Sequence, residues 1–220
     1  MNSTVRSAER VIWVGVLLTI VLLLLAALLA ATKLKQARAG NVPLPVLGQV
    51  SDFVLTNQSG KTVTLADLKG HVWVADIIFT RCAGPCPRMT RQMQQVQATL
   101  PNDSNARLVS LTTDPKFDTP PVLEAYAKKF GARTDNWLFL TGGPQEIARL
   151  AIDSLKLTAV EKKPSEQQSP QDLFIHSTIF VVVDKAARLR GVFETEVEGV
   201  STETVRKRVL TAVKRLEREP

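Results

Sequence analysis

The run Val72-Trp-Val-Ala-Asp-Ile-Ile-Phe79 narrows the choice of fold more than any other stretch of this chain. It is short, mostly apolar and rich in β-branched residues, which suits a strand buried on both faces near the middle of a sheet. A helical pattern follows almost at once. Met89, Met93, Val96 and Leu100 recur at i, i+4, i+7 and i+11, one face of a helix, with Pro87 suited to its first turn and Pro101 to its end. Arg107–Leu111 then reads as a second strand. Strand, helix and strand in such close succession predict a βαβ unit and a mostly parallel sheet.

The rest of the chain extends that unit. Phe53–Leu55, a turn at Asn57–Gly60 and Thr62–Leu65 predict a hairpin in front of it. Behind it come a helix over Val122–Phe130 with Thr119 as N-cap and Asp118 in a capping role, a strand at Trp137–Leu140 and a helix at Gln145–Leu155. Thr178–Val183 and Arg188–Phe193 flank a turn at Asp184 and predict a closing antiparallel pair. A last amphipathic helix bears Val205, Val209, Val213 and Leu216, with Ser201 as its cap. The polar stretch 161–171 carries no structure signal. This outline predicts an α/β thioredoxin-like fold with an N-terminal β-hairpin extension.

In front of the domain, Val11–Ala31 is an uncharged apolar run. At about 1.5 Å per residue such a run matches a bilayer core as one helix. The sequence therefore predicts a tail over 1–10, a single transmembrane anchor over 11–31, a linker over 32–50 and one domain over 51–220. A cleaved signal peptide is the rival, with Ala37-Arg38-Ala39 as a small-x-small site; the length of the apolar run favours an uncleaved anchor. Arg6 and Arg10 before the run, and Lys33, Lys35 and Arg38 after it, leave its orientation open.

The formal charge of +7 sits at the ends. Residues 1–40 carry +4 and residues 201–220 carry +3, so the middle is balanced. A nucleic-acid protein needs a basic patch on its folded domain, and none is visible. No exposed apolar stripe beyond the anchor predicts association, so the expected state is a monomer.

Both cysteines of the chain, Cys82 and Cys86, lie where the central strand runs into the helix. Helix-terminal amides there stabilise a thiolate, above all at Cys86, and so predict a lowered pKa. The pair could hold a soft metal ion, close a disulfide, or exchange with another protein's disulfide. Gly84, Pro85 and Pro87 shape the loop and speak against two inert buried thiols. With only two histidines in the chain, a four-ligand zinc site would need both cysteines and both histidines, at a separation unlike a compact finger. Two thiolates with His176 suit copper as Cu(I) or Cu(II), while a merely packed His176 stays open. His71, at a turn entering the central strand, reads as solvated. Arg81 and Arg88 flank the thiols and either tune them, dock an acidic partner or are simply solvated.

These residues bring a resemblance with them. Phe79-Thr-Arg-Cys82-Ala-Gly-Pro-Cys86-Pro, Leu111-Thr-Thr-Asp114-Pro with Asp118-Thr-Pro, Tyr126-Ala-Lys-Lys-Phe-Gly131, Trp137-Leu-Phe-Leu-Thr-Gly142 and His176-Ser-Thr-Ile-Phe-Val-Val-Val-Asp184 occur in order over about 51–195. The chain so resembles the SCO/SenC family of membrane-anchored, thioredoxin-like copper-binding proteins of cytochrome c oxidase assembly. The resemblance implies a copper ion held by Cys82, Cys86 and His176, with Asp114 behind the ligands. It implies a metallochaperone more than an enzyme, serving the binuclear copper site of the oxidase's copper-bearing subunit. Other copper chaperones or thioredoxin-like reductants are further implied partners, and the domain is expected on the periplasmic side. The alternative is a thiol–disulfide reductase acting on the client's cysteines, with Cys82 and Cys86 catalytic. The loop before His176 is expected to become ordered on copper binding, which can contribute the ordering energy.

Overall fold

The computed structural model describes residues 13, 16–32, 43–101, 103–167 and 173–219. The chain divides into two compact units, Met1–Pro43 and Leu44–Pro220. In the first, residues 16–32 are helical and their large apolar side chains are exposed. Among the described residues no helix is long and apolar enough to cross a membrane. The described run is about 25 Å long at 1.5 Å per residue, against a hydrocarbon core of about 30 Å. Residues 11, 12, 14 and 15 of the expected span, with the tail 1–10 and the segment 33–42, lie outside the described residues.

The second unit is built on one sheet of order β1-β10-β9-β4-β5-β6-β2-β3. Its centre is β4 (Trp73–Ile78), β5 (Arg107–Thr112) and β6 (Trp137–Thr141), all parallel. Helix α1 (Cys86–Thr99) joins β4 to β5 and α2 (Pro120–Lys129) joins β5 to β6, the expected crossovers. The predicted hairpin, β2 (Val54–Asn57) and β3 (Thr62–Thr64), extends the sheet beside β6. On the other side β9 (Ile179–Val183) runs antiparallel to β4, and β10 (Arg188–Glu194) returns along β9. β1 (Gly48–Gln49) pairs with the edge of β10, so the sheet begins within the stretch read from the sequence as linker. Two paired residues are too few to leave a periodic signal.

β4 is buried throughout, and its alternation divides the core. Val74 and Ile78 face α1, α2 and the final helix α4 (Thr202–Arg218), where Met89, Met93, Phe139 and Val209 pack. Trp73, Ala75 and Ile77 face the other way, toward Phe53, Leu140 and Leu150. That second layer holds the short helix α3 (Pro144–Ala148), which widens into a π-helical turn at Arg149–Ser154 in place of the single helix expected over Gln145–Leu155. Ser201 caps α4, its hydroxyl accepting from the Thr204 amide at 3.2 Å. Ser201→Ala is expected to lose about 1 kcal/mol of stability, as helix caps do, measurable as a lower urea midpoint at unchanged slope.

The stretch 161–171 is where the structure departs furthest from the sequence reading. β7 (Ala159–Glu161) and β8 (Phe174–His176) form a two-stranded antiparallel sheet of their own, with a 3-10 turn at Pro164–Glu166 between them. Residues 168–172 lie outside the described ones.

Buried charge closes the far end of the domain. Arg190 is 3% exposed. Its Nη1 donates to Asp184 Oδ2 at 2.6 Å and to Glu219 Oε2 at 2.8 Å, and its Nη2 donates to the Leu44 carbonyl at 2.7 Å. One guanidinium thus ties the β9–β10 turn, the end of α4 and the chain entering the domain.

Candidate metal centre

β4 ends at Ile78 because the sheet does, and the chain turns over Phe79–Pro85 into α1. Cys82 donates its amide to the Phe79 carbonyl at 3.2 Å, and the Gly84 amide donates to Cys82 Sγ at 3.3 Å. Pro85 occupies the N-cap position of α1 and Pro87 its first turn, so Cys86 is the first helical residue. Both cysteines are thiols and both are buried. Cys86 is fully enclosed, whereas Cys82 is 9% exposed.

The Cys86 thiol is pushed up, not down. Burial is the largest cause, followed by its hydrogen bond to Cys82 and the charge of Cys82; the Phe79 backbone works the other way. This corrects the expectation from the helix terminus. A helix end contributes about 0.3–1 kcal/mol, less than the several kcal/mol needed to desolvate an ion.

Beneath the pair lies a polar set that sequence reading missed. Asp76, on the helix-covered face of β4, accepts from Ser110 Oγ at 2.6 Å, and Trp137 Nε1 donates to Ser110 Oγ at 3.0 Å. On α1, Thr90 Oγ1 donates to the Cys86 carbonyl at 2.9 Å and lies 2.9 Å from Tyr126 Oη. Burial raises the Tyr126 phenol, which therefore stays neutral as a donor to Thr90. An aspartate inside an apolar strand is the one sequence signal of this set; its partners become neighbours only through sheet pairing.

Asp114 meets Arg81. Arg81 Nη2 donates to Asp114 Oδ2 at 2.5 Å, and the guanidinium lies 4.1 Å from the Phe117 ring centroid. Arg88 pairs with Glu196 at 2.7 Å. Both flanking arginines are therefore partnered within the domain. Asp118 is no cap: Thr119 holds the N-cap position of α2, and the buried Asp118 carboxylate turns toward Thr80. Burial pushes its carboxyl up, against the pull of the Thr112 and Thr80 donors.

His176 ends β8, paired with Ala159; its side chain lies outside what is described. The same strand reaches the cysteine loop through Phe174, whose ring meets Phe79 edge-on at 5.1 Å between centroids. His71 is elsewhere. It precedes β4 while the cysteines follow it, about 20 Å away at ~3.3 Å per residue, and its Nδ1 lies 2.9 Å from the Asn105 carbonyl. A zinc set using both histidines is thereby ruled out. Among the described residues no group of three or more His, Cys, Asp or Glu side chains is placed to hold a metal. What the described residues do supply is two neighbouring thiols, soft donors of the kind Cu(I) prefers.

A βαβ-centred sheet with two hydrogen-bonded thiols at a strand–helix junction defines a dithiol or thiol-metal protein of the thioredoxin-like class. More narrowly, residues 47–213 match the SCO1/SenC family model, and the chain belongs to that family. It is 40% identical over 141 residues to the SCO1 protein homolog of Bacillus subtilis, covering 63% of this chain and 70% of that one. Among solved structures it resembles a SCO1/SenC family lipoprotein of Bacillus anthracis, with 30% identity, a TM-score of 0.66 and coverage of 78% and 96%. It also resembles BsSco, a member of the Sco family of cytochrome c oxidase assembly proteins in which a disulfide switch was identified, with 34% identity, a TM-score of 0.63 and coverage of 78% and 98%. The copper-bound ScoI of Bradyrhizobium japonicum shares the fold at 24% identity and a TM-score of 0.61, over 76% of this chain and 99% of that one.

Proposed function

We propose that this protein is a copper metallochaperone that holds the ion through Cys82, Cys86 and His176 and passes it to the binuclear copper site of cytochrome c oxidase. The observation that carries this reading is the thiol pair itself, two cysteines hydrogen-bonded to one another at the start of α1, in a family whose members have been solved with copper bound. Thiolates bind Cu(I) and leave by ligand exchange, so a partner offering its own thiols can take the ion over stepwise. β8 supports the place of His176, since Phe174 brings that strand against the cysteine loop. In this reading Val11–Ala31 anchors a monomer in the membrane, with the domain on the periplasmic side.

A second reading draws on the same thiols and on the disulfide switch of BsSco. Cys82, the more exposed of the two, attacks a client disulfide and releases one client thiol. Cys86 then displaces the second, leaving the client reduced by two electrons and Cys82–Cys86 oxidised.

Copper bound per chain, measured on the reduced protein without oxygen, separates the two. One tightly held Cu(I), weakened at least tenfold in His176→Ala while thiol exchange persists, is the expected result for the chaperone. Thiol exchange without copper binding moves the assignment to the reductase.

A further inference from the structure

Asp118 is a buried carboxylate that neither the copper set nor the thiol exchange uses. It is fully enclosed and takes three hydrogen bonds. Its Oδ2 accepts from the Thr80 amide at 3.1 Å and from the Thr112 hydroxyl at 2.5 Å, and its Oδ1 accepts from the Thr80 hydroxyl. The carboxylate is itself held by a tight turn, since the Phe117 and Asp118 amides both donate to the Asp114 carbonyl, at 3.1 and 2.8 Å. Thr112 closes the arrangement: its hydroxyl donates to Asp118 and accepts from the Asp114 amide at 3.0 Å.

Thr80 is the residue on which this converges. It stands beyond the end of β4, where sheet pairing no longer holds the chain, and two residues before Cys82. Its amide, its hydroxyl and the tip of β5 all meet one carboxylate. On the outer side of the same loop Arg81, 40% exposed at its side chain, pairs with Asp114.

We propose that Asp118 is a positioning residue for the thiol pair: by fixing Thr80 it sets the course of the 79–85 loop, so that Cys82 meets Cys86 before a metal ion or client arrives. Burying a carboxylate is costly, and a helix start needs only the short polar cap that Thr119 could supply. What a carboxylate adds is acceptor capacity. It alone among side chains of this size receives an amide and two hydroxyls at once. An asparagine keeps the shape but presents an amide NH2, a donor, on one side, and so loses at least one of the three.

The copper half of this inference rests on the proposed function; the thiol half does not. The test uses the full chain with Asp118→Asn and Thr80→Val, and Ser201→Ala as a destabilised control remote from the loop. Two quantities are read: the rate at which the metal-free protein closes Cys82–Cys86 with oxidised glutathione, and the Cu(I) affinity by chelator competition. Closure forms one disulfide and converts one oxidised glutathione to two thiols. Asp118→Asn is expected to slow closure about tenfold and to weaken Cu(I) by about 10–100-fold, the range of groups that orient metal ligands. Thr80→Val, which deletes one bond and leaves the carboxylate, moves both the same way by less, and Ser201→Ala moves neither. If Asp118→Asn does not fold, Thr80→Val decides alone. Closure at the wild-type rate in whichever of these variants folds overturns the proposal, even if thermal stability falls. A wild-type chain that binds no copper overturns the functional reading instead, and the closure rates still decide the role of Asp118.

Discussion

Cys86→Ser is expected to abolish tight copper binding, with a loss well beyond the ~100-fold that groups behind metal ligands can account for. Serine nearly keeps the shape of cysteine, but its oxygen is a hard donor and stays protonated, so the soft pair that suits Cu(I) is reduced to one thiol. The position is fully enclosed and opens α1, so the variant also buries a hydroxyl, at about 1–3 kcal/mol if that group finds no acceptor. A thermal melt shows that cost separately, and titration with Cu(I) in the presence of a chelator gives the affinity. Cys82→Ser should behave alike. A serine variant within threefold of the wild type would remove the thiol pair from the site altogether.

The largest expected loss of stability is at the other end of the sheet. Arg190→Ala takes one of two guanidiniums from the buried Asp184, leaving only the partly exposed Arg188 at 2.8 Å, and breaking a buried pair from one side costs up to about 3–5 kcal/mol. Domains are stable by about 5–15 kcal/mol in all, so much of the folding free energy is at stake. The two partners are 3% and 5% exposed at the side chain, and solvent cannot replace the guanidinium. Urea unfolding at neutral pH measures the loss. Acid adds a signature. Burial works against ionisation of Asp184, but the Arg188 amide and the Arg190 and Arg188 guanidiniums outweigh it and hold the carboxyl below its ordinary value of 3.8. A depressed carboxyl contributes stability above that unfolded value and loses it as pH falls through the folded one. The gap between wild type and Arg190→Ala should therefore be full at neutral pH and narrow below about pH 4. A gap independent of pH down to the acid transition would assign the loss to packing of the arginine stem.

Both variants act where the chain's own order gives little guidance, and the contrast runs through the whole molecule. The central strand, α1 and its buried methionines were legible because periodicity is a local property: Trp73–Ile78 and Met89, Met93 and Val96 read the same before and after folding. The thiol pair was legible for the same reason, as two soft side chains one turn apart at a strand–helix junction. The β7–β8 hairpin was not. Its strands are three residues each, its connection is polar, and what marks its position is the contact of Phe174 with Phe79 across most of the domain's length.

Asp118 shows the same limit at the site. An aspartate before Thr-Pro-Pro looks like a helix cap, and its neighbours in the chain do not show what its carboxylate meets. Parallel pairing of β4 with β5 sets Ile78 beside Thr112, and only then do Thr80, Thr112 and Asp118 share one buried volume. The thiol chemistry points likewise. A helix terminus favours a thiolate, and that much can be read from position; enclosure by the core reverses the balance at Cys86, and enclosure belongs to the assembled layers. By itself the sequence determined the α/β succession, the family motifs and the identity of the sulfur donors, all of which rest on neighbours within a few residues. Tertiary structure decided what surrounds those donors, because desolvation and hydrogen bonding depend on groups that distant strands and helices bring within a few ångströms.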